Sequence, residues 1–230
     1  MNLEKDGICI LKKKISNISY LNDVNLKLYN FLEEKNNTYN RTDNCLHHIL
    51  LYDKKLLNYI LNIITTEKVI HDYFKVGFIM HSCGAVINKS SEKSYTHNWH
   101  IDTYEETNEN IMLNILIPLC DFTLENGCTK IIGKQSTQII DVLLDKGDIL
   151  LFNSSLKHCT GVNNSNNDRN CLTITLIKPY LKPQFNYLLI FSNEELEKLE
   201  DNLKKLYNYY SQTPDNLTDF YNKKYKLNSL

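Results

Sequence analysis

The strongest constraint on the fold is a change of texture near residue 74. Up to that point apolar residues recur at helical spacing: Val24, Leu28, Phe31 and Leu32 within about 21–35, then Leu56, Leu57, Ile60, Leu61 and Ile64. A further short helix is expected around Val69–Tyr73, and Gly7–Leu11 reads as a short strand entering the fold. Beyond residue 74 the apolar runs shrink to strand length and are broken by Gly, Asn and Asp. Strands are expected over 75–80, 84–88, 97–103, 111–118, 128–132, 138–142, 148–153, 158–161, 169–178 and 184–190. Turn signals separate them at Glu125-Asn126-Gly127, Lys146-Gly147-Asp148 and Asn163 through Asp168. A core of about eight such strands suits a jelly roll, whose two sheets enclose a pocket at one end.

The tail turns helical again. Ser192 with Glu195 forms a capping box, and Leu196, Leu199, Leu203, Leu206 and Tyr210 make one apolar stripe, the pattern of a helix packed on its own barrel. With 230 residues and no linker or repeat, one domain over 1–230 is expected. It comprises a helical part (about 1–74), a β core (about 75–190) and carboxy-terminal helices (about 192–230). The fold class is mainly β with flanking helices.

Composition excludes several roles. A formal charge of −1 offers no footprint for nucleic acid or an anionic membrane. No apolar run approaches membrane-spanning length, and the charged start at Glu4-Lys5-Asp6 is unlike a secretory segment. Seven cysteines stand singly, with no C-x-x-C pair, so reduced thiols and a cytoplasmic location are expected. A small-molecule partner is the remaining expectation, and oligomeric state is open.

One set of residues carries chemistry. Side chains at i and i+2 on a strand share a face, so His100 and Asp102 would point together into a barrel. Asn98 and Tyr104 would lie on that side, with Trp99, Ile101 and Thr103 outward. His158 follows the strand Gly147–Phe152, and Arg169 opens the next apolar run. Two imidazoles and one carboxylate can occupy one face of an iron(II) ion, leaving the other positions for a cosubstrate and dioxygen. An H-x-D pair alone is weak, since a lone buried histidine is more often hydrogen-bonded core than ligand.

The arginine adds weight. Of 26 basic residues only Arg41 and Arg169 are arginine, so a planar two-pronged donor is retained where lysine is the rule. Such a donor grips the far carboxylate of a dicarboxylic acid in bidentate fashion, with a surface salt bridge as the blander reading. Thr160 shares strand parity with His158 and offers a hydroxyl to the same carboxylate. Asn114 and Leu116 face the interior if Met112 does, meeting cosubstrate, substrate or merely core. His47, His48, His71, His81 and His97 lack a partner at ligand spacing and read as structural or exposed, with His97 a candidate for the pocket mouth. Cys159 falls on the face opposite His158.

With these residues in hand, the chain resembles the phytanoyl-CoA dioxygenase family of iron(II)- and 2-oxoglutarate-dependent oxygenases, over nearly its whole length. Glu4–Leu11 is similar to the family's opening Asp-Gly strand, and Ile87-Asn88-Lys89 to the strand before the metal loop. His100-Ile101-Asp102 matches its H-x-D motif, Leu124–Cys128 its Asn-Gly turn and Lys146–Phe152 its Gly-Asp strand. His158–Asn163 is similar to the distal histidine segment, and Arg169 falls at the cosubstrate arginine. The resemblance implies a double-stranded β-helix (cupin-like jelly roll), with iron held by His100, Asp102 and His158. It implies 2-oxoglutarate held by Arg169 and Thr160, and dioxygen as oxidant. Hydroxylation of a small molecule, with release of succinate and carbon dioxide, is the implied reaction. Asp102 stands where related halogenases lack a carboxylate, which disfavours halogenation. The chain departs from the family at Ile132-Gly133-Lys134-Gln135, where Pro-Gly-Ser-His is common.

Two other classes stay in view. A non-redox jelly roll binding a metal or small molecule would need the histidines and leave Arg169 unexplained. A degenerate member acting through its carboxy-terminal helix would not need a complete ligand set.

Overall fold

The computed structural model describes residues 2–103, 109–134, 137–214 and 216–223. Its amino-terminal part is helical, as the periodicity predicts. The long helix α2 (Ile18–Tyr39) follows a one-turn helix α1 (Leu3–Asp6) and the strand β1 (Ile8–Leu11). Asn17 caps α2 by accepting from the Tyr20 amide, and Leu21, Val24, Leu28 and Leu32 form its buried stripe. The short strand β2 (Cys45–His47) precedes α3 (Asn58–Thr66) and α4 (Lys68–Phe74).

The β-rich part supplies β3 (Ile79–Asn88), β4 (Met112–Pro118), β5 (Thr129–Ile132), β6 (Ile139–Val142), β7 (Ile149–Asn153), β8 (His158–Thr160) and β9 (Arg169–Ile177). A six-stranded sheet runs β1-β7-β4-β9-β3-β2 and a three-stranded sheet runs β6-β5-β8. All ladders are antiparallel, so the sheets pair as in a jelly roll. The outer face of the large sheet and the helices share one core, with Ile60, Leu61, Ile115, Leu151 and Leu176 at its centre. A second, smaller core lies between the sheets and includes Ile8, Phe122, Ile131, Leu150 and Phe152. The rest of the space between the sheets is a cavity of about 370 Å³.

Four expectations need correction. The run 84–88 and the last two residues of 75–80 belong to the single strand β3, which carries a bulge between Met80 and Ser82, and 75–78 form no strand. No strand forms over 97–103, for a reason taken up below. The run 184–190 ends in a 3-10 turn (Tyr187–Ile190), capped by the Asn186 side chain on the Leu188 amide. The carboxy-terminal stripe is split into α5 (Asn193–Lys198) and α6 (Asp201–Leu206), because Leu199 and Glu200 take extended backbone angles between them. The Ser192–Glu195 capping box is present at the start of α5, and Leu203 and Leu206 are buried. A last helix α7 covers Leu217–Lys223, and the end of the expected tail lies outside the described residues. The seven cysteines carry no disulfide. Among the described residues no helix is long and apolar enough to cross a membrane.

Candidate active site

The segment expected as a strand over 97–103 begins instead with a 3-10 turn (Tyr95–His97). Ser94 accepts from the Thr96 amide while His97 Nδ1 accepts from the Ser94 amide, and this box bends the chain just before a ladder could start. One rung survives. His100 N donates to His158 O at 3.0 Å and His158 N to His100 O at 2.9 Å. Directly opposed residues of an antiparallel pair carry their side chains on one face, and the two rings accordingly lie with centroids 4.3 Å apart. Asp102 returns to that face two residues on, anchored by its amide to Ser154 O at 3.0 Å. Asn98, expected inward, is exposed, and Tyr104 lies outside the described residues.

The three donors converge. His100 Nε2 is 3.7 Å from Asp102 Oδ1, His158 Nε2 is 3.6 Å from Asp102 Oδ2, and all three ligand atoms lie within 4.8 Å of one another. Metal–ligand bonds of roughly 2.0–2.2 Å place neighbouring donors roughly 3 Å apart, so a small closure fits the set around one ion. The ring orientation is fixed from behind. His100 Nδ1 donates to Asn98 O (2.8 Å) and His158 Nδ1 to Leu156 O (2.9 Å), which leaves both Nε2 lone pairs facing the gap. Burial pushes the His158 pKa down, with Asp102 opposing, so this imidazole favours the neutral form a metal needs. Phe152 packs edge-on against its ring at 4.8 Å.

Asn114 steers the carboxylate. Its Nδ2 donates to Asp102 Oδ2 at 2.5 Å, and its Oδ1 accepts from Thr175 Oγ1 at 3.1 Å. Expected among residues contacting the cosubstrate, it lines the cavity but is engaged with the ligand carboxylate. Leu116 and Thr160 also line the cavity.

Arg169 is fully buried in β9, opposite Asn88. Strand parity puts it on the same face as Cys171, Thr173 and Thr175, which line the cavity. Its guanidinium lies over the Phe122 ring at 4.3 Å, and Nη1 reaches Cys171 Sγ at 3.6 Å. Nε and Nη2 have no hydrogen-bond partner. A buried cation with two unused donors in planar array fits a carboxylate guest. The donor chemistry therefore suits both implied groups, an iron(II) ion and a dicarboxylate.

Other histidines are accounted for. His97 Nε2 donates to Asn88 Oδ1 at 3.0 Å, a structural role away from the mouth, and His71 bonds Thr65 O at 2.8 Å. Several cavity residues, His47, Ser82, Thr173 and Gln184 among them, were not legible as such. Thr129, directly opposite Thr160, has a buried Oγ1 without a partner, and no pattern in its strand marks it. His81 sits at the β3 bulge, and a bulge leaves no sequence signature of its own.

No family model matches the chain. The chain is 28% identical over 123 residues to the dioxygenase sphC of Aspergillus fumigatus, covering 49% of this chain and 34% of that protein. The chain thus spans about a third of that relative's length. Among solved structures, a nickel complex of the non-haem monooxygenase ThoJ superposes with a TM-score of 0.60 at 16% identity, covering 99% of this chain and 97% of that one. The non-haem α-ketoglutarate-dependent epimerase SnoN from nogalamycin biosynthesis gives a TM-score of 0.59 at 11% identity, covering 77% and 79%. The fold is that of the non-haem iron oxygenases. The likeness to an oxygenase family read from the sequence agrees with this, since the curated relatives are named dioxygenases. The oxygenase fold places its two sheets around the cavity where His100, Asp102 and His158 meet.

Proposed function

We propose that this chain is an iron(II)- and 2-oxoglutarate-dependent oxygenase that hydroxylates a small molecule. The observation that carries the reading is the convergence of two imidazole Nε2 atoms and one carboxylate, each pinned from behind. His100, Asp102 and His158 would hold the metal on one side, with Asn114 fixing which Asp102 oxygen is presented. Arg169 would take the distal carboxylate of 2-oxoglutarate on Nε and Nη2, assisted by the Thr160 hydroxyl. When bound, iron and 2-oxoglutarate supply dioxygen activation, with succinate and carbon dioxide as coproducts. The chain's part is orientation: rigid main-chain anchoring of the donors and an apolar backing of Leu116 and Phe152 that limits water.

Support comes from the relatives' names and the shared fold, together with the unpaired Arg169 donors, for which a non-redox jelly roll has no use. The test is an anaerobic titration of metal-free protein with iron(II) and then 2-oxoglutarate, watched in the visible. A weak charge-transfer band requiring both ligands is expected. Iron binding without the band refutes the cosubstrate role, and absence of iron binding refutes the centre itself.

A further inference from the structure

The cavity wall built by β2, β3 and β9 is polar without being charged. Among the described residues that line the cavity, Asp102 alone carries a fixed charge, and it belongs to the metal set. Ser82 and Thr173 point inward from neighbouring strands, because Ser82 pairs with Thr175 and Gly84 with Thr173 in the β3–β9 ladder. Within the described residues neither hydroxyl has a hydrogen-bond partner, nor has the Gln184 carboxamide at the rim. These groups are therefore open to a guest.

Two backbone features keep that wall open. A Cβ on Gly84 would stand 2.3 Å from Leu46 O and 3.2 Å from Thr173 Oγ1, so the glycine lets β2 close in and leaves the threonine hydroxyl uncovered. The bulge between Met80 and Ser82 turns His81 toward the cavity, where Nδ1 is buried and unpartnered. The bulge is held by the Gln184 amide donating to His81 O at 3.1 Å. Burial also lowers the pKa of His81 and of the neighbouring rim residue His47, which disfavours the charged form of both rings.

We propose that the substrate is a neutral, multiply hydroxylated small molecule, seated by Ser82, Thr173 and Gln184. This rests on the oxygenase reading above. An alkyl chain lying on this wall would strip water from two hydroxyls and a carboxamide and return no hydrogen bonds. An anionic substrate would find no cation among the described lining residues, Arg169 being fully buried and assigned above to 2-oxoglutarate. An ammonium would find only Asp102, which the metal neutralises. A guest with several hydroxyls can donate and accept at each position, as the side chains themselves can.

The experiment is anaerobic calorimetry on protein loaded with iron(II) and 2-oxoglutarate. The probes are myo-inositol and methyl glucoside, set against glucuronate, glucosamine and hexanol. The neutral polyols are expected to bind best, and Ser82→Ala and Thr173→Val each to weaken them by roughly fivefold, one hydrogen bond's worth. Since neither hydroxyl is used inside the protein, both variants should melt like the wild type. Tighter binding of glucuronate, glucosamine or hexanol overturns the proposal. So does a loaded protein that shows the 2-oxoglutarate band yet binds no polyol, or polyol binding indifferent to both variants. Polyol binding that persists with no charge-transfer band supports the hydroxyl-binding wall and sinks the cosubstrate reading alone.

Discussion

Replacing Arg169 by methionine should stabilise the metal-free protein while removing its response to 2-oxoglutarate. The guanidinium is fully buried, and two of its three nitrogens have no partner. Burying a charge with unmet donors is a penalty of several kcal/mol, and substituting an apolar side chain of similar volume recovers about 1–4 kcal/mol in comparable buried ionic sites. Against that stand the lost stacking on Phe122, worth about 1–2 kcal/mol when desolvated, and one weak contact to Cys171 Sγ. The balance is a net gain of about 1–2 kcal/mol, or roughly 2–8 °C in melting temperature for a chain of this size. In the wild type, 2-oxoglutarate at about a hundred times its Kd should add about 2.7 kcal/mol in the presence of metal. Differential scanning calorimetry of both proteins, with and without the ligand, reads both effects. A variant that melts below the wild type and still gains from 2-oxoglutarate refutes the argument, because Arg169 would then be a satisfied structural residue.

Other expectations follow from single contacts. Asp102→Ala should abolish iron-dependent succinate formation, and normal succinate yield from that variant would exclude the assigned triad. Asn114→Leu removes the hydrogen bond to Asp102 Oδ2 and should weaken metal binding about 10–100-fold, measured by competition with a chromophoric chelator. Gly127 has φ +76°, and a Cβ there would lie 2.2 Å from Gly161 O, so Gly127→Ala should cost at least about 2 kcal/mol in urea unfolding. Asp148 is buried, which pushes its carboxyl pKa up. Hydrogen bonds from Lys12 Nζ and the Lys13 and Asp145 amides outweigh that and hold it below the usual value of 3.8. A folded pKa below the unfolded one means stability that is present above the unfolded value and lost as pH falls through the folded one. Wild-type stability should therefore decline as pH falls below about 5, more steeply than in Asp148→Asn, as read by acid unfolding at several pH values.

Much of this architecture was legible because it depends on local periodicity. The buried stripe Val24, Leu28 and Leu32 and the paired strands over 112–118, 149–153 and 169–177 follow from spacing alone. The convergence of the candidate metal set was legible for a different reason, since the i, i+2 relation of His100 and Asp102 holds even without a regular strand. What failed depended on contacts distant in sequence or on single backbone angles. The 97–103 run was lost to a side-chain cap at Ser94, and the carboxy-terminal stripe to two extended residues, Leu199 and Glu200. The engagement of Asn114 with Asp102 and the inward turn of His81 arise from tertiary placement, which no local pattern encodes.

The rung shared by His100 and His158 separates two properties that are often entangled. The spacing of the imidazoles is set by a pair of reciprocal main-chain hydrogen bonds, and side chains to either side have no part in them. Trp99 and Ile101 flank that rung and are only half-buried. Their identities can drift without altering the bite of the two imidazoles. A lineage built on this frame is therefore free to vary what enters the cavity while the two imidazoles stay the same distance apart.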